Sequence, residues 1–431
     1  MKRYGFVIAL LSILAAVSWA QSDAPTTLNF GFEADSQSTT VENSIFYSLS
    51  IRPYLNVGRI SAALELPVRM DDQGDFIEQE WTSPVAIISK LHYLKWSAPG
   101  DLLYFALGEI DDFTLGTGFI MNQYSNMVNY PFVNKTGVNV EINPNPERIP
   151  FGGELMIDNL FDPDVFGMRA YLRAILPNLI FGTTFVVDSD PSNPLPPNED
   201  PYAYADNPDV GPLFFWGLDA AMELGDQEAQ LYITPTFDFA YIFGNGGGLG
   251  VGATGGFDFF YGGYQLRYLG SGFIPEFFDE EYDQQRRAVG STPGKYELLQ
   301  QITAGYGAYY ALLGLNIADQ FTAELSWEDT YTDSEQPSLF QAGFGVVGDR
   351  YFDAEIIYEK EDYWSTEADR ADLLGSLFRW DLGQSRLQVD LNVYVPSTTI
   401  TFQFLRSARE YLGELRHYYE LGMSVDTTLQ Q

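Results

Sequence analysis

The sequence predicts an all-β fold, a closed antiparallel transmembrane β-barrel of about 18 strands, within a range of roughly 16–20. Three observations support this prediction. Many segments of about ten residues alternate apolar and polar side chains, the pattern of strands with two different faces. No apolar run after residue 20 is long enough for a spanning helix. The chain is rich in aromatic residues, at 16%, and has no cysteine, so its stability cannot come from disulfides.

The clearest alternating unit lies at residues 228–264. Its odd-numbered positions are apolar from Leu231 to Phe243, whereas its even-numbered positions, such as Thr234 and Asp238, are mostly polar. A glycine-rich turn at 244–247 leads into a second stretch whose apolar positions are also odd-numbered. Antiparallel pairing of the two stretches therefore brings both apolar sets to one side of the sheet.

Residues 1–20 are predicted to be a signal peptide, and residues 21–431 to form the barrel. Lys2 and Arg3 precede an apolar run, and the stretch Ser18–Ala20 supplies the small residues that a signal peptidase recognises before Gln21. The formal net charge of −36 argues against a nucleic-acid partner, because such binding requires a basic surface. The high apolar and aromatic content argues against disorder.

The alternating segments continue along the chain, with a few interruptions. Ser83–Pro84 is a helix-start signal, and apolar residues from Val85 to Leu94 follow at helical spacing, so a short internal or plug helix is predicted near 84–95. Long loops are predicted at about 188–211 and 274–303, where proline and charged residues concentrate. The segment Thr114–Asn122 is predicted to be a strand.

The less apolar faces of the strands carry acids. We predict that this face lines a pore, with the apolar face on lipid; Phe237 should then meet hydrocarbon and Asp238 water. Aromatic residues near strand ends are candidates for the interfacial girdles: Trp216, Tyr241, Tyr261, Trp327, Tyr351, Tyr358 and Trp380. The predicted pore-lining residues are Asp238, Glu324, Glu328, Asp353, Glu355, Arg386 and Asp390.

Catalytic and cofactor signals are weak in this sequence. Gly250, Gly252 and Gly255 have the spacing of a dinucleotide fingerprint, but they lie inside a predicted strand rather than on a strand-to-helix turn. With two histidines, His92 and His417, the chain offers little for a histidine-based metal centre or triad. We therefore predict no enzyme activity, no cofactor and no metal, and assign both histidines structural roles.

One region resembles a known group of proteins. The stretch Leu94–Gly108, the sequence Thr114–Met121, and the motifs Tyr124–Met127 and Tyr130–Pro131 are similar to uncharacterised outer-membrane β-barrel proteins of spirochaetes and other double-membraned bacteria. The resemblance implies a porin-like barrel in the cell outer membrane, and it brings no substrate or catalytic residue. Barrels of this kind often end in an aromatic residue that the assembly machinery recognises, whereas this sequence ends in Gln431.

The predicted function is that of a porin-like channel for passive passage of small solutes, favouring cations or neutral solutes because the predicted pore wall is acidic. The segments 84–95 and 274–301 are candidate constrictions. Expected partners are outer-membrane lipid, the barrel assembly machinery and small solutes, with a homo-oligomeric state left open. The alternative is a soluble periplasmic or surface β-rich protein that binds a ligand or polysaccharide, since a sandwich with its apolar face inward shows the same alternation.

Overall fold

The fold is described from a computed structural model. The structure describes residues 28–41, 44–70, 90–127, 135–145, 148–173, 178–191, 210–226, 231–286, 293–330, 338–348, 351–361, 385–395, 398–411 and 414–430. The predicted signal peptide at 1–20 lies outside these residues. Among them, no α-helix combines the length and the hydrophobicity that crossing a membrane would require.

The described chain forms one closed antiparallel sheet. It contains 22 strand segments, and β1 closes the ring by pairing with both β2 and β22. Two strands are each interrupted by one residue, at Glu65 and at Glu223, so the barrel has 20 strands. The segments are β1 Leu28–Val41, β2 Ser44–Val57, β3 Ile60–Leu64, β4 Leu66–Met70, β5 Leu91–Trp96, β6 Leu103–Gly108, β7 Gly137–Ile142, β8 Phe151–Ile157, β9 Val165–Leu172, β10 Leu179–Asp188, β11 Leu213–Met222, β12 Leu224–Asp226, β13 Leu231–Ile242, β14 Gly247–Phe257, β15 Phe260–Leu269, β16 Tyr306–Ile317, β17 Phe321–Thr330, β18 Leu339–Gly348, β19 Phe352–Glu361, β20 Ser385–Val395, β21 Thr398–Tyr411 and β22 Glu414–Gln430.

The alternation predicted for β13 is confirmed in the barrel. Leu231 and Phe237 are 59% and 42% exposed on the outer face of β13. Asp238, on the inner face of the same strand, pairs with residues of β11 and β14 and is 1% exposed. The register pairs Phe237 with Val251, so the odd-numbered apolar residues of β13 and β14 share the outer face, as predicted. The barrel therefore turns its apolar faces outward, the reverse of a soluble β-sandwich.

The long connections between strands lie at one end of the barrel. The connections at 109–136, 189–212 and 270–305 follow β6, β10 and β15, which all run in the same direction in the antiparallel ring. The opposite end has tight connections, such as 58–59 and 258–259. We call the two ends the long-connection end and the short-turn end.

Two of the long connections fold back into the barrel. Inner segment A comprises residues 109–127, and inner segment B comprises residues 270–286 and 293–305, with helices α1 (Tyr282–Gln285) and α2 (Lys295–Gln301). The two segments join each other where Met121 and Phe278 form a parallel bridge. Their apolar side chains form one buried cluster with inward-facing residues of β8 to β16: Met156, Val186, Phe215, Ile242, Leu269 and Ala308.

The helix predicted near 84–95 is wrong where the structure describes it, because Leu91–Trp96 forms strand β5 between β3 and β6. A β-bulge causes the misleading spacing. The register shift between Ala63 and Leu64 makes His92 an extra residue, so Leu91 and Leu94 both lie on the outer face although they are three residues apart. Residues 84–89 lie outside the described chain.

The strand predicted at Thr114–Asn122 is also wrong. This stretch belongs to inner segment A, and β6 pairs directly with β7 without it. Gly116 and Gly118 have φ angles of +67° and +90°, which interrupt an extended backbone. The chain turns back on itself there, and Phe113 and Tyr124 exchange backbone hydrogen bonds of 3.0 Å.

Candidate functional site

The candidate functional site is the barrel interior. A 20-stranded barrel encloses more space than the side chains of its own wall can fill, so whatever occupies or lines that space determines what the barrel does. The apolar side chains of the inner segments pack against the wall formed by β8 to β16. The remaining wall, from β17 through β22 to β3, carries polar and charged side chains on its inner face.

Inner segment B is held to the wall by the buried Arg267 of β15. The Nη2 atom of Arg267 donates to Glu276 of inner segment B, and its Nη1 atom donates to Glu328 of β17 at 2.8 Å. Its Nε atom donates to Gln265 at 2.6 Å, and Gln265 in turn donates to Asp238 at 2.8 Å. One guanidinium therefore connects inner segment B with β15 and β17 directly and with β13 through Gln265, in the fork geometry that arginine provides.

The turn of inner segment A rests on charged residues of the wall. The hydroxyl of Thr117 donates to the carboxylate of Asp238. Gly116 lies against the ion pair of Arg169 and Asp219, and a Cβ atom added to Gly116 would come within 2.7 Å of the Arg169 Nε atom. The turn thus fits the wall only with glycine at this position, since a side chain would collide with a buried ion pair.

A second buried ionic cluster anchors both inner segments at the long-connection end. Lys135 donates to Asp158 at 3.0 Å and to Asp283 of α1 at 2.6 Å. Burial raises the pKa of Asp158, and the charge of Lys135 opposes that shift. Burial lowers the pKa of Lys135, but the carboxylates of Asp283 and Asp158 outweigh burial and leave that pKa raised.

The same cluster continues through α1 to the wall. Arg286 donates to Asp188 at 2.7 Å and to Asp164 at 3.1 Å, and the hydroxyl of Tyr282 also donates to Asp188. Removing one member of such a buried pair leaves an uncompensated charge, which typically costs about 3–5 kcal/mol. The inner segments are therefore fixed parts of the barrel rather than loosely placed loops.

Four of the seven predicted pore-lining residues lie on the inner face of β17, β19 and β20, outside the apolar cluster that the inner segments form with the wall. Glu324 accepts a hydrogen bond of 2.9 Å from Tyr261, which places the hydroxyl of that predicted girdle residue inside the barrel. Asp353 accepts from Asn392 at 3.4 Å, and Asp390 accepts from Gln388 at 2.7 Å. Glu355 pairs in register with Asp390.

The other three predicted residues contact the inner segments or the residues that hold them. Asp238 is buried beneath Thr117, so a label there would not meet bulk water, contrary to the expectation from sequence. Glu328 binds Arg267, and Arg386 donates to Glu280 of inner segment B at 2.9 Å. That any of the seven lines a pore stays a prediction.

Among the girdle candidates, Trp216, Tyr241 and Tyr351 are exposed. The prediction that Tyr261 belongs to a girdle is wrong. The exposed residues of β15, such as Phe260 and Tyr264, lie on the outer face, and Tyr261 lies on the inner face. Trp327 shares the outer face of β17 with the exposed Leu325, Tyr358 is buried, and Trp380 lies outside the described residues.

The anchoring residues Lys135, Arg169, Arg267 and Arg286 were missed from sequence. One signal was present, because the chain has 23 lysines and arginines against 59 acids. In so acidic a chain, an isolated basic residue at an inward position of a strand, such as Arg267 in β15, has a high chance of serving as a counter-charge. Its partner could not have been named, because Glu276 lies in a connection whose path the alternation does not predict.

The fold and interior together define a 20-stranded β-barrel whose lumen is narrowed by two anchored inner segments. No family model matches the sequence, and no curated protein matches it. Solved structures that this chain matches include Pseudomonas aeruginosa OccK11 (OpdR), with a TM-score of 0.43 and 8% identity over 94% of this chain and 96% of that one. Pseudomonas aeruginosa OpdO has a TM-score of 0.43 and 10% identity over 94% and 97%. The outer membrane protein opdK of the same organism has a TM-score of 0.40 and 9% identity over 94% and 99%.

Proposed function

We propose that this chain is an outer-membrane channel through which small solutes pass passively, with cations and neutral solutes favoured over anions. The observation that carries the proposal is the acidic inner wall formed by Glu324, Asp353, Glu355 and Asp390 on β17, β19 and β20, outside the apolar cluster of the inner segments. Carboxylates that line a water-filled passage attract cations and repel anions.

The outer surface supports a membrane location. Large apolar side chains are exposed on strand after strand, including Leu231, Leu266, Leu313 and Ile356. Monomeric soluble proteins rarely expose contiguous apolar patches of more than a few hundred Å². Export by residues 1–20 and insertion by the barrel assembly machinery belong to the same proposal. The alternative of a soluble binding protein would require these faces to turn inward.

The expected selectivity is moderate and depends on salt. A carboxylate about 8 Å from the path of an ion contributes about 0.5 kcal/mol in water, so four contribute about 2 kcal/mol without screening. Because the Debye length is about 8 Å at physiological ionic strength, screening reduces that sum to below about 1 kcal/mol. A preference for cations of a few-fold is therefore expected at physiological salt, growing as the salt is diluted.

Planar-bilayer recording of the purified chain tests the proposal. We expect steady conductance, and a reversal potential in a KCl gradient that has the sign of cation preference. The neutralised variant E324Q/D353N/E355Q/D390N should lose that preference, whereas D258N, which removes an exposed acid in the tight turn between β14 and β15, should keep it. Anion preference, or absence of conductance in a chain that shows heat-modifiable gel mobility, would contradict the proposal.

A further inference from the structure

A cluster of three side chains lies inside the barrel where inner segment A begins. Glu65 interrupts the β3–β4 strand, His92 is the extra residue of the bulge in β5, and Glu109 directly follows β6. One side-chain atom from each, a carboxylate oxygen or an imidazole nitrogen, lies within 4.8 Å of the other two. Within the described part of the chain, this is the group of three that has metal-ligand spacing.

The backbone brings these residues together by irregularities rather than by regular strand geometry. The bulge turns His92 inward beside Tyr93, so two consecutive residues point to the same side of the sheet. Gly108 has a φ angle of +125°, and a Cβ atom there would come within 2.2 Å of the carbonyl oxygen of His92. The amide of Glu109 donates to that same carbonyl at 2.9 Å, which fixes Glu109 against the bulge.

Neighbouring groups preorganise these side chains. The Oε1 atom of Glu65 accepts from Ser50 at 2.8 Å and from Arg52 at 3.0 and 3.1 Å, so neighbouring groups hold this carboxylate in place. The Nδ1 atom of His92 lies 2.5 Å from the Oε2 atom of Glu109. The Oε1 atom of Glu109 is buried and has no hydrogen-bond partner among the described residues.

The local charge also favours a cation. Arg52 is the counter-charge not only of the fully buried Glu65 but also of Glu33 and Asp35, at 3.5 and 3.6 Å. Glu109 adds a further carboxylate, which lies within 4.8 Å of Glu65. A divalent cation bound between Glu65 and Glu109 would offset their charge, and the anchored Glu65 has the outer hydrogen bonds that orient a metal ligand.

We propose that Glu65, His92 and Glu109 bind one Zn²⁺ ion. One imidazole and two carboxylates suit zinc, whereas Ca²⁺ and Mg²⁺ prefer sites made of oxygen ligands alone. Two ligands of a tetrahedral zinc ion are about 3.4 Å apart, so small side-chain rotations from the present spacings complete the site. His92 and Glu109 are partly exposed, which leaves solvent access for a water molecule as fourth ligand.

The bound ion would connect the first residue of inner segment A to two wall strands. That link is independent of the proposed channel function, because it rests on the three side chains and not on what passes the lumen. Binding to the folded barrel and not to the unfolded chain would also raise the unfolding temperature.

Calorimetric titration of the detergent-solubilised chain with ZnCl2, in an excess of MgCl2 that occupies weak acidic sites, tests the proposal. We expect one equivalent to bind, with a higher unfolding temperature. H92Q and E109Q should both lose the binding of this one equivalent of Zn²⁺. H417Q should retain it, because His417, the second histidine of the chain, lies in β22. A step of equal size in H92Q, or no step in the wild-type chain, would overturn the site.

X-ray absorption at the zinc edge decides the question without any substitution. One imidazole among the ligands of the wild-type complex supports the site, and a shell made only of oxygen ligands refutes it. Because this measurement uses the wild-type chain, it remains informative where a variant fails to fold. Its result does not depend on conductance, so failure of the zinc site and failure of the channel proposal are distinguishable.

Discussion

Replacing Arg267 by methionine tests how inner segment B is held. The arginine side chain is 4% exposed, and it is the shared partner of Glu276 and Glu328. Methionine retains an apolar stem of similar length but removes the charge, so both carboxylates lose their counter-charge in a poorly solvated place. Breaking a buried ion pair from one side costs about 3–5 kcal/mol.

This free-energy cost destabilises the state in which inner segment B is docked against the wall. The undocked state avoids the cost, because Glu276 is then exposed to water. At about 1.4 kcal/mol for each tenfold change, the docked-to-undocked ratio should fall by about two to almost four powers of ten. We expect single-channel recordings of R267M to show a larger or more frequently fluctuating conductance than those of the wild-type chain. The barrel itself should persist, as checked by heat-modifiable gel mobility.

Two comparisons make the test specific. R386Q removes another contact between the wall and inner segment B, but the side chains of Arg386 and Glu280 are 29% and 47% exposed, so about 0.2–1 kcal/mol is at stake and conductance should hardly change. Adding E276Q and E328Q to R267M removes the uncompensated charges and should restore the wild-type record. If folded R267M conducts like R386Q, the buried guanidinium does not hold the segment and the reasoning fails.

Three further predictions concern the inner segments and the outer face. G116A should destabilise the turn of inner segment A by about 1–2 kcal/mol from backbone strain alone, and by more because its Cβ atom clashes with the Arg169–Asp219 ion pair. G343A is the control, because Gly343 has room for a Cβ atom. Urea unfolding measures the free energy of unfolding of both variants. Because the chain has no cysteine, a single introduced cysteine is the only site that a thiol-reactive spin label can modify. A label at Phe237→Cys should report hydrocarbon, whereas one at Thr234→Cys, on the inner face of β13, should not. Equal signals from the two labels would contradict the outward orientation of Phe237. The pKa of Lys135 is raised in the folded chain, so its stabilising charge is fully present below pH 10.5, the ordinary pKa of lysine, and is lost as the pH rises through the folded pKa. The free energy of unfolding of the wild-type chain, measured by urea titration, should therefore fall as the pH rises through the folded pKa. K135M, measured in the same way, should show no such fall.

The candidate site was only partly predictable. The inward parity of Glu324, Asp353 and Asp390 followed from alternation within their own strands, a local property of the sequence. The alternation could not show that Asp238 would be covered, because the residue that covers it, Thr117, lies 121 positions earlier in the chain. Nor could it show that His92 would face inward, because a one-residue bulge reverses the parity of everything beyond it.

The sequence by itself determined the strands and their two faces: period-two alternation in β13, β17 and β20 predicts one apolar and one polar face for each, and the number of such strands without long helices favours a barrel. A strand's two faces follow from its own residue spacing, so no distant contact is needed to assign them. Tertiary structure alone decided the interior. Inner segment A resembles a strand in sequence, yet Met121 pairs with Phe278, and their side chains find an apolar cluster that the wall supplies from many strands. Such pairings depend on which distant groups meet once the sheet has closed, so the local spacing of residues in the sequence does not predict them.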